Sequence, residues 1–276
     1  MAKNEINFTL DELAQLRDIV SRAAREELLP RFTVCQRHEK ADGSTVTEAD
    51  FALQYRLESE LAQQWPEFAF LSEEMTVAQQ QQQMKCAEAG LWCLDPLDGT
   101  TNFAAGVPFF GVSLALLVGG EARAGVIYDP IRDEVFSASK GRGAWLNGER
   151  LTPQPELRSL RQCVAVVDFK RLTAPLAARL ACNPPYLSQR NFGSVALEWC
   201  WLAAGRFHMY VHGGQKLWDY AAGYLILREA GGHALSLQGA PIDCADLHPC
   251  SVMAALDLRL FKECSEWLLA EEASRA

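Results

Sequence analysis

The sequence of 276 residues lacks the patterns of several large protein classes. No stretch approaches the ~18 uninterrupted apolar residues that a membrane-spanning helix needs. The first residues hold neither an apolar core nor a cleavage site, so we expect no secretory signal. The nine cysteines are odd in number and irregular in spacing, and no two form a Cys-x-x-Cys pair. We therefore expect no disulfide framework and no zinc cage, but reduced thiols in a cytoplasmic protein.

Positive charge and histidine are also scarce. Lysine and arginine together number 26 against 35 aspartates and glutamates, which gives a formal net charge of −9. Broad binding of nucleic acid needs a basic face, so we expect no nucleic-acid partner. The closest histidines, His208 and His212, lack the intervening glutamate of the zinc-protease pattern. The chain therefore offers a metal mainly oxygen ligands.

Helix and strand patterns alternate along the chain. A capping box at Thr9 opens a predicted helix that runs to Leu28, and a second helix begins at Thr47 and ends near Trp65. The apolar run Gly111 to Val118, followed by a Gly-Gly turn and a second run, predicts a hairpin. Mixed α and β elements of this kind indicate a layered fold.

The length suits one large domain or two tightly joined ones. We divide the chain at the proline-containing stretch 151–157, which predicts an α+β half over 1–150 and an α/β half over 151–276. The five consecutive glutamines 79–83 are predicted to form a solvated loop or frayed helix without chemistry.

The most informative segment runs from Asp95 to Phe103 and reads Asp-Pro-Leu-Asp-Gly-Thr-Thr-Asn-Phe. Pro96 ends a sheet ladder, so we expect the strand to stop at Asp95 and the turn to aim Asp95, Asp98 and the Leu97 carbonyl at one point. Hard cations such as Mg²⁺ take such oxygens. A helical turn beginning at Thr100 would place free N–H groups beside the cation as an anion site. Taken alone, the segment fits an ordinary Asp-Gly turn equally well.

Two further segments carry acids at the ends of predicted elements. Glu73 and Glu74 follow a short apolar run, and paired carboxylates repel each other unless a cation compensates. Asp219 opens a helix that stops at Gly231. Taken alone, the first pair fits exposed loop acids, and Asp219 fits a helix cap, which is compatible with metal binding.

In this order the segments resemble the inositol monophosphatase family, whose members are Mg²⁺-dependent, typically lithium-sensitive phosphomonoesterases. The resemblance covers about residues 10 to 270 and implies a five-layer αβαβα sandwich made of an α+β half and an α/β half, usually as a homodimer. It rests on these motifs: Lys40…Asp42-Gly-Ser…Val46-Thr-x-Ala-Asp50, Glu73-Glu74, Asp95 to Phe103, Tyr128-Asp-Pro130, Gly141-x-Gly-Ala144-x-x-Asn147-Gly148, and Trp218-Asp-x-Ala-Ala-Gly223 with Glu229-Ala-Gly-Gly232.

The resemblance implies a set of metal ligands. Glu73, Asp95 and the Leu97 carbonyl would hold one Mg²⁺, and Asp95, Asp98 and Asp219 a second. A third, weaker site would again use Glu73. The pattern does not separate Mg²⁺ from Mn²⁺. Because such carboxylates repel one another without cations, the metal-free protein is expected to have either raised carboxylate pKa values or a loose site.

The same resemblance implies the catalytic and phosphate-binding groups. Backbone N–H groups of Gly99 and Thr100 would hold the phosphate. Glu73 with Thr100 would position the attacking water, and Asp50 would hydrogen-bond the Thr100 hydroxyl.

The alcohol end of the substrate would meet Gly193, Ser194, Asp98 and Asp219, together with His212. Inositol-hydrolysing members carry a glutamate at the last of these positions. A glutamate accepts two hydroxyl hydrogen bonds, whereas a neutral histidine accepts one and donates one. The substrate therefore stays open between an inositol-1-phosphate-like polyol or sugar phosphate, histidinol phosphate and 3′-phosphoadenosine 5′-phosphate. A regulatory binding protein with residual phosphatase activity is a further alternative.

Overall fold

The computed structural model describes residues 8–32, 37–39, 45–152 and 158–270. Within them the helices are α1 (Leu10–Glu27), α2 (Glu48–Gln64), α3 (Val77–Cys86), α4 (Thr100–Ala105), α5 (Ala174–Cys182), α6 (Val195–Ala203), α7 (Leu217–Glu229) and α8 (Leu258–Leu269). Short 3-10 helices span Leu29–Arg31, Leu160–Gln162 and Phe169–Arg171. None of these helices is both long and apolar enough to cross a membrane.

The strands of the described residues form two large sheets and one small pair. They are β1 (Arg37–Glu39), β2 (Thr45–Thr47), β3 (Ala69–Ser72), β4 (Leu91–Asp98), β5 (Gly111–Val118), β6 (Glu121–Asp129), β7 (Glu134–Ser139), β8 (Gly143–Leu146), β9 (Glu149–Arg150), β10 (Val164–Asp168), β11 (Ser188–Arg190), β12 (Met209–Gln215), β13 (His233–Leu235) and β14 (Cys250–Ala255). β1 and β2 pair with each other. The seven-stranded sheet has the order β3-β4-β5-β6-β7-β8-β9, and the five-stranded sheet has the order β11-β10-β12-β14-β13.

Three apolar clusters stack these elements into five layers. The first cluster lies between α1 with α2 and one face of the seven-stranded sheet. The second fills the space between the two sheets, where α6 and α7 lie. The third lies between the outer face of the five-stranded sheet and α5 with α8. The order helix, sheet, helix, sheet, helix confirms the predicted αβαβα sandwich.

The two sheets come from different halves of the chain, over residues 69–150 and 164–255. Both helices of the middle layer belong to the second half, yet they pack on the sheet of the first half as well. The Glu229 carboxylate at the end of α7 accepts the backbone N–H groups of Gly141 (2.8 Å) and Gly143 (2.7 Å) in the β7–β8 turn. The chain division proposed at 151–157 stays a prediction, and residues 153–157 lie outside the described ones.

Most predicted elements are present, with two corrections near the site. The glutamine run is not a loop but part of α3, because Thr76 and Gln79 form a capping box and glutamine favours helix. β4 does not stop at Asp95 but continues to Asp98. A shift of the pairing register between these two residues accommodates the proline that separates them, as bulges commonly do.

Close packing between α6 and α7 predicts a sensitive position at Gly223. A Cβ added there would lie 2.4 Å from the Cβ of Trp199, a fully buried side chain. We expect Gly223→Ala to lower the free energy of unfolding by about 1–3 kcal/mol through overpacking, measured by urea denaturation. Gly214→Ala is the control, since its nearest heavy atom would be 3.6 Å away. Equal stability of the two variants would contradict this account.

Candidate active site

Two neighbouring parallel strands and one helix bring three carboxylates together. β3 and β4 run parallel with Ser72 opposite Leu94, so the residues that follow, Glu73 and Asp95, emerge side by side. The start of α7, which packs on the same sheet, adds Asp219. One carboxylate oxygen from each of these three residues lies within 4.8 Å of the others. The predicted convergence of acids from three distant segments is present.

Local hydrogen bonds orient two of these carboxylates. Asp95 Oδ1 accepts the Leu97 N–H (2.9 Å) within the bulge of β4. Asp219 Oδ2 accepts the Lys216 N–H (2.8 Å) at the first turn of α7. Each side chain thus keeps a second oxygen or lone pair for another partner.

Asp98 lies beside this group and joins the two halves of the chain. Its Oδ2 accepts the buried Ser194 hydroxyl and the Ala196 N–H (2.7 Å) at the start of α6. Ser194, predicted to contact substrate, is fully buried and directs its hydroxyl to Asp98.

The pKa values of Asp95, Asp98 and Asp219 are raised, as in a crowded anionic site. Burial raises the pKa of Asp95 well above its ordinary range, and the charges of Glu73, Asp98 and Asp219 raise it further. Burial likewise raises the pKa of Asp219, reinforced by Asp98 and Glu73. For Asp98, burial raises the pKa to about 6 against the hydrogen bond from Ser194. The expected raised pKa values are thus present.

The segment after Asp98 turns at Gly99 into the short helix α4. Gly99 has φ +87°, a left-handed conformation that favours glycine, and α4 begins at Thr100, as predicted. A Cβ on Gly99 would lie 3.1 Å from the Phe109 carbonyl oxygen and 3.2 Å from that of Gly193. The Asn102 amide donates to the Phe109 carbonyl (2.8 Å) and holds this loop in place.

Asp50 lies behind the Thr100 hydroxyl. The Thr100 Oγ1 lies 2.8 Å from the Leu97 carbonyl oxygen and 3.4 Å from Asp50 Oδ1, so the contact implied by the resemblance is within reach. Thr47 donates its N–H (2.8 Å) and its hydroxyl (2.7 Å) to Asp50 Oδ2 at the start of α2. Burial raises the pKa of Asp50 to about 6 although these bonds lower it.

His212 is buried and fully engaged with the protein. Its Nδ1 accepts the Gly214 N–H (3.1 Å), and its Nε2 lies 3.3 Å from Asp168 Oδ2, directly across the parallel pair β10 and β12. Burial raises the pKa of Asp168, but the hydrogen bond from His212 brings it below its ordinary value. The histidine at this position therefore forms a pair with an aspartate rather than standing alone.

Sequence reasoning missed Glu198 in α6. Its buried carboxylate accepts the N–H groups of Phe192 (2.8 Å) and Gly193 (3.2 Å), the loop that precedes Ser194. Burial raises its pKa to about 7, and the nearby charge of Asp98 contributes. A charged residue inside the otherwise apolar stretch Val195–Ala203 was the signal that could have found it.

Comparison with known proteins identifies the family. The family model described as "Inositol monophosphatase family" matches residues 9–267. A Nus factor SuhB of Pasteurella multocida is 43% identical over 153 residues, which are 54% of this chain and 57% of that protein. An inositol monophosphatase 1 of Solanum lycopersicum is 36% identical over 212 residues, 74% of this chain and 76% of that protein. The matches span 57% and 65% of the first two SuhB relatives.

Solved structures agree with this assignment. The IMPase of Thermotoga maritima superposes with a TM-score of 0.81 at 27% identity and covers 96% of this chain and 99% of its own. SaIMPase-II, solved with inositol monophosphate bound, superposes with a TM-score of 0.76 at 25% identity and covers 96% of both chains. On the family match and these likenesses, the chain belongs to the inositol monophosphatase family.

Proposed function

We propose that this protein is a Mg²⁺-dependent phosphomonoesterase that acts on a small polyol or sugar phosphate of the inositol-1-phosphate type. The observation that carries the proposal is the convergence of Glu73, Asp95 and Asp219 within 4.8 Å, next to the buried Asp98. Family membership and the name of the tomato relative support it.

The residues present fit a hard divalent cation. All the side-chain donors are carboxylates, and their mutual charge and burial raise the pKa values of Asp95 and Asp219. In our proposal Glu73, Asp95 and the Leu97 carbonyl hold one ion, Asp95, Asp98 and Asp219 hold a second, and Glu73 serves a third, weaker site. When bound, Mg²⁺ would neutralise the phosphate dianion, activate water and stabilise the leaving alkoxide, and Mn²⁺ has the same oxygen preference.

In this proposal, backbone and side-chain groups of the protein hold the phosphate and the attacking water in line with each other. The Gly99 and Thr100 N–H groups bind the phosphate, and the carbonyls close to Gly99 leave no room for a side chain there. Glu73 and the Thr100 hydroxyl orient the attacking water, with Asp50 able to accept from that hydroxyl. No covalent phosphoenzyme is needed in this scheme.

The second half of the chain binds the leaving alcohol. We place its hydroxyl groups near Gly193, Asp98 and Asp219, with Ser194 holding Asp98 in orientation. Inositol-hydrolysing members carry a single glutamate at the position of His212. In this chain His212 pairs with Asp168, and we propose that this pair takes the place of the glutamate. Histidinol phosphate and 3′-phosphoadenosine 5′-phosphate are the alternative substrates.

Metal-dependent phosphate release tests the reaction. The wild-type protein should release inorganic phosphate from inositol 1-phosphate or a related ester only with Mg²⁺ or Mn²⁺. Glu73→Gln and Asp95→Asn should lose at least about a thousandfold in kcat/KM, because metal catalysis supplies several kcal/mol. Glu67→Gln, the same change at an exposed position, should retain activity. Full activity in either site variant would refute the ligand assignment.

The pH dependence of stability tests the electrostatics of the metal-free protein. Because the folded-state pKa of Asp98 lies at about 6, its stabilising contribution is present at low pH and is lost as the pH rises through that value. A shift of this size corresponds to about 3 kcal/mol. We expect the thermal midpoint of the metal-free protein to fall as the pH rises from about 4 to about 6, and Mg²⁺ to restore it.

Asp95→Asn is the matched variant for that experiment. It removes one buried charge and should raise the metal-free thermal midpoint at pH 8, although it removes a ligand. A flat pH profile of the wild-type protein, or a lower midpoint in this variant, would contradict the proposed repulsion.

The proposed contacts with the leaving alcohol are tested by comparing phosphate esters of different alcohols. We expect Asp168→Ala and His212→Ala to change the ratio of kcat/KM between polyol phosphates and histidinol phosphate by about fivefold or more, the effect of one hydrogen bond. The Mg²⁺ concentration for half-maximal rate should not change. An unchanged substrate ratio would remove both residues from alcohol recognition.

A regulatory role is the second candidate, favoured by the name and 43% identity of the Nus factor SuhB relative. The four acidic ligand candidates are all retained in this chain, which argues for hydrolysis as at least part of its role. Affinity capture that yields one stoichiometric macromolecular partner, with no hydrolysis across the ester panel, would reverse the ranking.

A further inference from the structure

One glutamine of the five-residue run differs from its neighbours. Gln80 is buried, with 8% of its surface exposed, whereas Gln79, Gln81 and Gln82 are exposed. The Gln80 amide nitrogen donates to two successive backbone carbonyls, those of Ser72 (3.2 Å) and Glu73 (3.1 Å). This one amide group therefore binds both backbone carbonyls at the end of β3.

The position of β3 in the sheet explains why such a donor matters. Among the described strands, β3 lies at the edge of its sheet and pairs with β4 alone. The Glu73 N–H donates to the Leu94 carbonyl of β4 (3.1 Å), so the Ser72 carbonyl of the same peptide unit points the opposite way, to the open edge. Gln80 donates to this edge-facing Ser72 carbonyl in place of a further strand, and it donates to the Glu73 carbonyl as well.

We propose that Gln80 is a positioning residue for Glu73, which it keeps in the orientation needed to bind a divalent cation. This inference rests on the proposed function, because it takes Glu73 as a metal ligand. The peptide before Glu73 is held by β4 on one side and by Gln80 on the other, and the Glu73 carbonyl is held by Gln80 as well. The carboxylate then leaves a fixed backbone toward Asp95 and Asp219, within 4.8 Å of both.

A purely structural role for Gln80 would be to dock α3 on β3. Such a role predicts lower thermal stability with unchanged metal affinity. A positioning role predicts weaker metal binding in a protein that remains folded, since groups that orient metal ligands typically contribute 10–100-fold in affinity.

The glutamine run itself provides matched controls. Gln80→Met keeps an unbranched side chain of similar length but removes both donors, and Gln80→Glu keeps the shape but replaces the donors by acceptors. Gln81→Met and Gln81→Glu make the same changes one residue further along the helix, on its exposed side.

Mg²⁺ and Mn²⁺ binding to each metal-free variant is measured by calorimetry, alongside the thermal midpoint and phosphate release. We expect about 10–100-fold weaker metal binding in both Gln80 variants and wild-type binding in both Gln81 variants. Equal metal affinity in the Gln80 and Gln81 variants overturns the inference, even if the thermal midpoint falls. Should Gln80→Glu not fold, Gln80→Met decides. Metal binding is measured directly, so the two proposals can fail separately. If the wild-type protein binds metal but hydrolyses no ester, the proposed function is refuted, while the test of Gln80 still stands.

Discussion

Repulsion among buried carboxylates is the constraint on which the rest of the structure depends. Asp95, Asp98 and Asp219 lie close to Glu73 in a site where burial disfavours their charged forms. The fold could relieve this cost by separating the acids, yet it holds them with hydrogen bonds from Leu97, Lys216 and Ser194. An arrangement that opposes its own stability in the absence of cations is best understood as a binding site for them.

The site also requires both halves of the chain at once. The first half contributes Glu73, Asp95 and Asp98, and the second contributes Asp219 together with the groups that orient Asp98. Packing of α6 and α7 between the sheets therefore brings together the residues of the proposed metal and phosphate sites. The same helices contribute much of the apolar core between the sheets, so the candidate site and this core depend on the same packing.

Local signals in the sequence predicted the parts of the site that local physics controls. The proline after Asp95 marked a break in the strand ladder, which proved to be a register shift within β4 rather than the predicted strand end. The capping patterns at Thr9 and Thr47 placed two helices within a residue. The features of the site that the sequence did not predict depend on contacts between distant segments. The pairing of His212 with Asp168 depends on strand register, and the burial of Gln80 cannot be read from a run of identical residues, whose helical phase carries no hydrophobic pattern.

The absence of a side chain at Gly223 has a consequence for how this protein tolerates change. α7 carries Asp219 at one end and rests with its middle against Trp199, without room for a single methyl group. A shift in the contact between Gly223 and Trp199 would move α7 as a unit. It would therefore displace Asp219, which lies about one helical turn away. Repacking of the interior at this contact should therefore affect the stability of the protein and the position of Asp219 together.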